Sequence, residues 1–144
     1  MTMDNNELLE KDLKEEKRLF EEILQLSAQQ VALFNPNQSN TDELLHNFNE
    51  LLARRQTLME CVDDIEKRWD WQSESARAHQ GIFNEIKMII QLIRENDSRT
   101  IKEAEKKMKQ ISAKLNETRA NQKAFNAYSQ EEPYDGGYFV DRKN

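Results

Sequence analysis

From Leu44 to Trp69 the chain reads LLHNFNELLARRQTLMECVDDIEKRW. Leu44, Phe48, Leu51, Arg55, Leu58, Val62, Ile65 and Trp69 follow one another at alternating steps of four and three. Side chains spaced in this way line one edge of an α-helix, and the repeat is the seam along which long helices pack. Working upstream, Asn35-Pro36-Asn37-Gln38-Ser39-Asn40-Thr41 is a run of turn formers, so a loop precedes this helix. Ser39-x-x-Asp42 and Asn40-x-x-Glu43 both fit an N-terminal cap, and Asp42 and Glu43 suit the positive helix end. Before the loop, Leu9, Leu13, Phe20, Ile23, Leu24, Val31 and Phe34 predict a first helix from about residue 4 to residue 34. Glu15, Glu16, Lys17 and Arg18 interrupt its seam, so its stability has to come from packing rather than propensity.

Working downstream, the rhythm weakens through Gln72, Ala76 and His79 and returns with Phe83, Ile86, Ile90 and Ile93. A helix-to-helix turn is expected in the weak zone, Trp71 to Gly81. Past Ile93 the seam continues at Asp97, Ile101, Ala104, Met108, Ile111, Leu115, Thr118, Gln122 and Phe125. The two successive steps of four, Ile93 to Asp97 to Ile101, form a stutter that locally unwinds a coiled coil. Asn96-Asp97-Ser98 reads equally as a break followed by a fourth helix. The expected fold is all-α: a long antiparallel helical hairpin, or coiled-coil bundle, of three or four helices. Its elements span about 4–34, 42–72 and 76–128 within one helical domain, 1–128, ahead of a flexible, irregular tail, 129–144. An unbroken third helix of about 50 residues reaches roughly 75 Å, against roughly 45 Å for each of the first two. The seam from Ile101 to Phe125 then needs a fold-back, a second copy or another protein to cover it.

Composition narrows the function classes. The chain has 144 residues, 37% of them apolar and 33% charged, with three Gly and two Pro. A sheet protein with many tight turns, or an enzyme with a large core, is a poor match to these proportions. The acidic stretch Met1–Glu10 lacks an apolar h-region, and the densest apolar stretch, around Ile86–Ile93, is too short to cross a bilayer. A single cysteine, Cys61, fits a reducing compartment, and a cytoplasmic location is expected.

Charge is unevenly spread. Residues 1–70 carry eight basic and sixteen acidic side chains, whereas Arg99–Lys123 carries eight basic and three acidic. A solvated face paired with the acidic first helix accounts for this basic run, and so does a helix that steers an acidic partner. Nucleic acid is the weaker partner, because the net charge of the chain is −6 and no zinc-finger or RNP signature occurs.

Catalytic and metal-binding constellations fail on spacing. His46 and Cys61 stand roughly 22 Å apart along one helix, too far for a thiolate pair, and Cys61 reads as a small packing residue beside Val62. Glu43-x-x-His46 matches half of a di-iron carboxylate site, but His79 has Ala76 at the corresponding place. Asp63, Asp64 and Glu66 read as a solvated face. No glycine-rich phosphate loop, HExxH or GxSxG is present. No enzymatic activity, no cofactor and no metal are expected. Arg55 on the apolar seam is either a long stem whose head reaches water or a glutamate, or a polar group that sets register. Trp69 is expected in the core, and Trp71 is a candidate contact residue. In the tail, Tyr128, Tyr134, Tyr138, Phe139 and Val140 sit among Gly, Pro and acids, which fits either a strip packed on the bundle or a short motif read by a partner.

Three stretches resemble the flagellar type III export chaperones of the FlgN/FliT class. Leu51-Leu52-Ala53-Arg54-Arg55-Gln56 leading to Ile65 and Trp69 is similar to the second helix of that class. Ile89-Ile90-Gln91-Leu92-Ile93-Arg94-Glu95-Asn96-Asp97 is similar to the apolar run within its long third helix. Lys123-Ala124-Phe125-Asn126-Ala127-Tyr128, followed by Tyr138-Phe139-Val140-Asp141-Arg142-Lys143, resembles the ending of Gram-positive members. The resemblance implies a small cytoplasmic protein without enzymatic activity. Such proteins bind C-terminal helical segments of late flagellar substrates, of the hook-associated or filament-cap kind, and hand them to the export apparatus. An incompletely covered seam agrees with that role, since it can accept an amphipathic helix. The expected partner-binding residues are Ile93, Ile101, Met108, Ile111, Leu115 and Phe125. Two rival readings are a structural coiled-coil homodimer and a helical regulator that acts through Arg99–Lys123.

Overall fold

The computed structural model describes residues 4–35 and 40–128. The expected Pro36 turn, the Ser39 cap and the tail 129–144 therefore lie outside the described residues. Helix accounts for 88% of those described, with no strand among them, so the fold is all-α as expected. Three long helices, α1 (Asn5–Ala32), α2 (Thr41–Glu66) and α4 (Gln80–Tyr128), are joined by a single-turn helix, α3 (Glu74–Arg77), between the last two. Among the described residues no helix is long and apolar enough to cross a membrane. Residue contacts divide the chain into two units, Met1–Ala104 and Glu105–Asn144. Both units draw on α4.

Local chemistry places the helix ends. Asp4 accepts a hydrogen bond from the Glu7 backbone N–H at 2.8 Å and starts α1. Asn40 does the same for the Glu43 N–H at 3.0 Å and starts α2, the arrangement the Asn40-x-x-Glu43 spacing predicts. Asn40→Ala is expected to cost about 1 kcal/mol of stability, read as a lower midpoint in urea with an unchanged slope. The end of α2 departs from expectation, since the helix stops at Glu66 rather than near residue 72. There the Trp71 indole N–H donates to the Glu66 carbonyl at 2.8 Å, taking one of the acceptors that a helix C-terminus leaves open. Asp70 then accepts from the Gln72 N–H at 3.1 Å, and Ser73 caps α3 by accepting from the Ala76 N–H at 3.2 Å. The turn between α2 and α4 is thus a structured corner, and the extra helix falls here. Through Asn96-Asp97-Ser98 the chain stays helical, so no fourth helix begins at that point.

Long-range contacts give the topology of the first unit. Asp12 meets Arg68 and Trp69, Gln30 meets Arg55, and Phe34 meets Phe48, so α1 and α2 run antiparallel. Lys17 pairs with Glu85 at 2.9 Å, and the Asn96 amide donates to the Ser27 hydroxyl at 3.0 Å, so α4 runs parallel to α1. The main core joins Leu19, Phe20 and Ile23 of α1, Val62 and Ile65 of α2, and Ile86 and Ile93 of α4. A second cluster, Leu9, Leu13 and Ala76, is flanked by Trp69, Trp71, Ile82 and Phe83. Trp71, a candidate contact residue from the sequence, packs edge to face on Phe83 with centroids 5.7 Å apart, at the corner of its own chain. Cys61, expected to pack beside Val62, is instead exposed, because it stands one residue, about 100°, off the seam.

The buried edge of α1 is a complete heptad series: Leu9, Leu13, Glu16, Phe20, Ile23, Ser27 and Gln30 are all buried. Three of these seven are polar, which hides the repeat from a reading of apolar residues alone. Glu16 lies almost entirely out of solvent beside Glu66. Desolvation, reinforced by the hydrogen bond to Glu66 and its negative charge, raises the Glu16 carboxyl to about 8. At neutral pH the folded protein therefore favours a protonated Glu16.

Candidate functional site

The inward edge of α4 keeps its spacing past the core. Ile86, Ile93 and Thr100 are buried at steps of seven, with Ile90, Asn96, Asp97 and Ala104 half-buried between and beyond them. The expected stutter is therefore absent from the buried edge, which follows Ile93, Asp97 and Thr100 in steps of four and three. The apolar series instead leaves that edge. Ile101 stands one residue beyond Thr100, about 100° around the helix, and is 60% exposed. Ile93, expected on the partner-binding seam, is a correction to the sequence reading. It is only 7% exposed and packs into the main core, so its surface is already used within the chain.

In the second unit, α4 supplies Glu105–Tyr128, and no residue of that stretch is buried. Met108, Ile111, Leu115 and Phe125 are 68%, 42%, 49% and 68% exposed. Met108, Ile111 and Leu115 follow at steps of three and four and share one edge. Thr118 and Gln122 continue the spacing to Phe125. Of the six residues expected to bind a partner, Met108, Ile111 and Leu115 thus form one exposed stripe in the second unit, Phe125 is exposed further along it, and Ile101 is exposed in the first.

A polar layer crosses the first unit, and sequence reasoning met only one of its members as unusual. Arg55 of α2 holds Asp97 of α4 through two hydrogen bonds, at 2.7 and 3.0 Å, and donates to the Gln30 side-chain carbonyl of α1 at 2.7 Å. Beside it, Asn96 donates to Ser27, whose hydroxyl donates to the Leu24 carbonyl at 2.7 Å. A two-pronged guanidinium–carboxylate bond has strict geometry. The Arg55 head thus reaches a carboxylate and an amide on two other helices. The available signal was two opposite charges, Arg55 and Asp97, each at a seam position of its helix. The Gln30 amide nitrogen and the Thr100 hydroxyl are buried with no hydrogen-bond partner of their own.

No catalytic constellation gathers at these places. His46 is exposed and stands 4.0 Å from Glu50, and the His79 ring nitrogen bonds the Asn6 side-chain oxygen at 2.9 Å. Among the described residues no group of three or more His, Cys, Asp and Glu is arranged to hold a metal. An open cleft of about 370 Å³ lies between α1 and α2, lined by Gln29, Ala32, Leu33, Asn47, Glu50, Leu51 and Arg54. Comparison with known families, curated proteins and solved structures finds no match to this chain.

Proposed function

We propose that this protein is a cytoplasmic, non-enzymatic chaperone of flagellar type III export, which holds a helical segment of a late flagellar substrate and keeps it from assembling early. The observation that carries the reading is the exposed stripe Met108, Ile111 and Leu115. An amphipathic helix of this length gains little from propensity in water and is ordinarily stabilised by burying its apolar edge. A substrate helix laid along the stripe supplies that burial and hides its own apolar edge at the same time. The resemblance to the FlgN/FliT class adds further support. Two of the stretches that carry it, Leu51–Gln56 and Ile89–Asp97, meet in the Arg55–Asp97 ion pair. The substrate is a hook-associated or filament-cap protein, and the export apparatus is the second partner.

The test is co-expression with the hook-associated and cap proteins of the same genome. Met108→Asp with Ile111→Asp is expected to reduce affinity for the substrate by about a hundredfold or more, since two apolar contacts are lost and a carboxylate is placed in each. Helix content should stay unchanged, because both side chains are exposed in the free protein. Loss of helix content would assign them to the protein's own core and contradict the proposal. Undiminished co-purification would contradict it as well.

A further inference from the structure

We infer that the occupant of the α4 stripe is an amphipathic helix with acidic flanks, contributed by another protein rather than by a second copy of this chain. This rests on the stripe being a docking site, as proposed above, and adds the chemistry of what docks. In a paired helix, the positions beside the seam decide which partner is accepted, because their charges face the partner's flanks. Along Met108, Ile111, Leu115, Thr118, Gln122 and Phe125, those beside the seam within the second unit are Glu105, Lys107, Ser112, Lys114, Arg119, Asn121 and Asn126. Three are basic, one is acidic and three are neutral. The bias widens over the whole turn of the helix, since Arg99–Lys123 carries eight basic against three acidic side chains.

Charge of this sign selects among occupants. Two copies laid stripe to stripe would face basic flank against basic flank, and like charges across a helix pair are unfavourable. A partner helix with Glu or Asp beside its own apolar edge meets Lys114 and Arg119 with opposite charge. The basic helix also raises its rate of encounter with that partner. Nucleic acid would use the charge but has no use for Met108, Ile111 and Leu115 between the basic flanks. The stripe from Met108 to Phe125 is roughly 26 Å long, so it takes an occupant of about five helical turns.

Two synthetic probe helices test this on the full chain. Both carry the same leucine seam over three heptads; one has Glu at the flanking positions and the other Lys. Only binding abolished by Met108→Asp is scored, which isolates the stripe from the acidic first unit. In low salt the Glu-flanked probe is expected to bind at least tenfold more tightly than the Lys-flanked one. The gap should shrink as salt shortens the screening length. Lys114→Glu with Arg119→Glu should reverse the preference while helix content by circular dichroism is retained. Equal binding of both probes to the unaltered chain, or a preference that survives the double charge reversal, would overturn the acidic partner and leave the docking reading standing. Binding of neither probe would overturn both. A dimer of the free chain that Met108→Asp dissociates would assign the stripe to a second copy and overturn this inference, as would duplex DNA binding that Met108→Asp abolishes.

Discussion

Glu16→Gln is expected to stabilise the protein most at alkaline pH and hardly at all in acid. The folded-state carboxyl is raised from 4.5 to about 8, chiefly by desolvation and then by Glu66. Between those values the folded chain holds a proton that the unfolded chain releases. Stability associated with Glu16 is therefore complete below about pH 4.5, falls as pH rises through this window, and levels off above about pH 8. The ceiling on the loss is about 5 kcal/mol, from the size of the shift. Glutamine keeps the shape and cannot ionise, so it removes this slope. Urea unfolding of both proteins followed by circular dichroism at about pH 5, 7 and 9 checks the expectation. The advantage of the variant should grow steadily with pH. An advantage that is the same at all three values would mean that Glu16 is not held protonated by its surroundings.

The second large effect is expected at the polar layer. Arg55→Ala removes both hydrogen bonds to Asp97 and the one to Gln30. The Gln30 side chain is buried and its amide nitrogen already lacks a partner, so its carbonyl would join it. Asp97 retains partial access to water, which lowers the cost below that of a fully buried charge. The expected loss is about 2–3 kcal/mol. A double-mutant cycle with Asp97→Leu separates the pair from its surroundings. Arg55→Ala together with Asp97→Leu should cost less than the sum of the single changes, by about 1–2 kcal/mol. Strict additivity would show that the ion pair contributes nothing beyond its separate side chains.

Why some elements were legible in the sequence and others were not follows from where polar residues sit. The seam of α2 is apolar at seven of its eight positions, so its spacing is plain from Leu44 to Trp69. The α1 seam carries Glu16, Ser27 and Gln30 among its buried positions, and a reading that follows apolar residues drifts off it to Leu24 and Val31. The same cause misplaces the path of α4. Thr100 continues the buried edge, but Ile101 beside it is apolar, and hydrophobicity alone selects the isoleucine. Ile101, Met108 and Leu115, which step off the inward edge, are exposed, so the drift marks part of the candidate site. The early stop of α2 at Glu66 depends on hydrogen bonds from Trp71, Asp70 and Ser73, which become visible only once the corner is folded. Cys61 takes a packing role by its nearness to Val62 in the sequence, but one residue of rotation separates a buried position from an exposed one.

Hydrogen exchange of the full chain, alone and bound to a hook-associated or cap protein of the same genome, measures the central claim most directly. In the free protein the amides of Glu105–Tyr128 should exchange far faster than those around Leu13, Ile23 and Val62, because apolar burial protects the latter and not the former. In the complex, protection should rise across Met108–Phe125 while the core of the first unit changes little. Full protection of Met108–Phe125 in the free protein, or a complex that leaves their exchange untouched, would contradict the account.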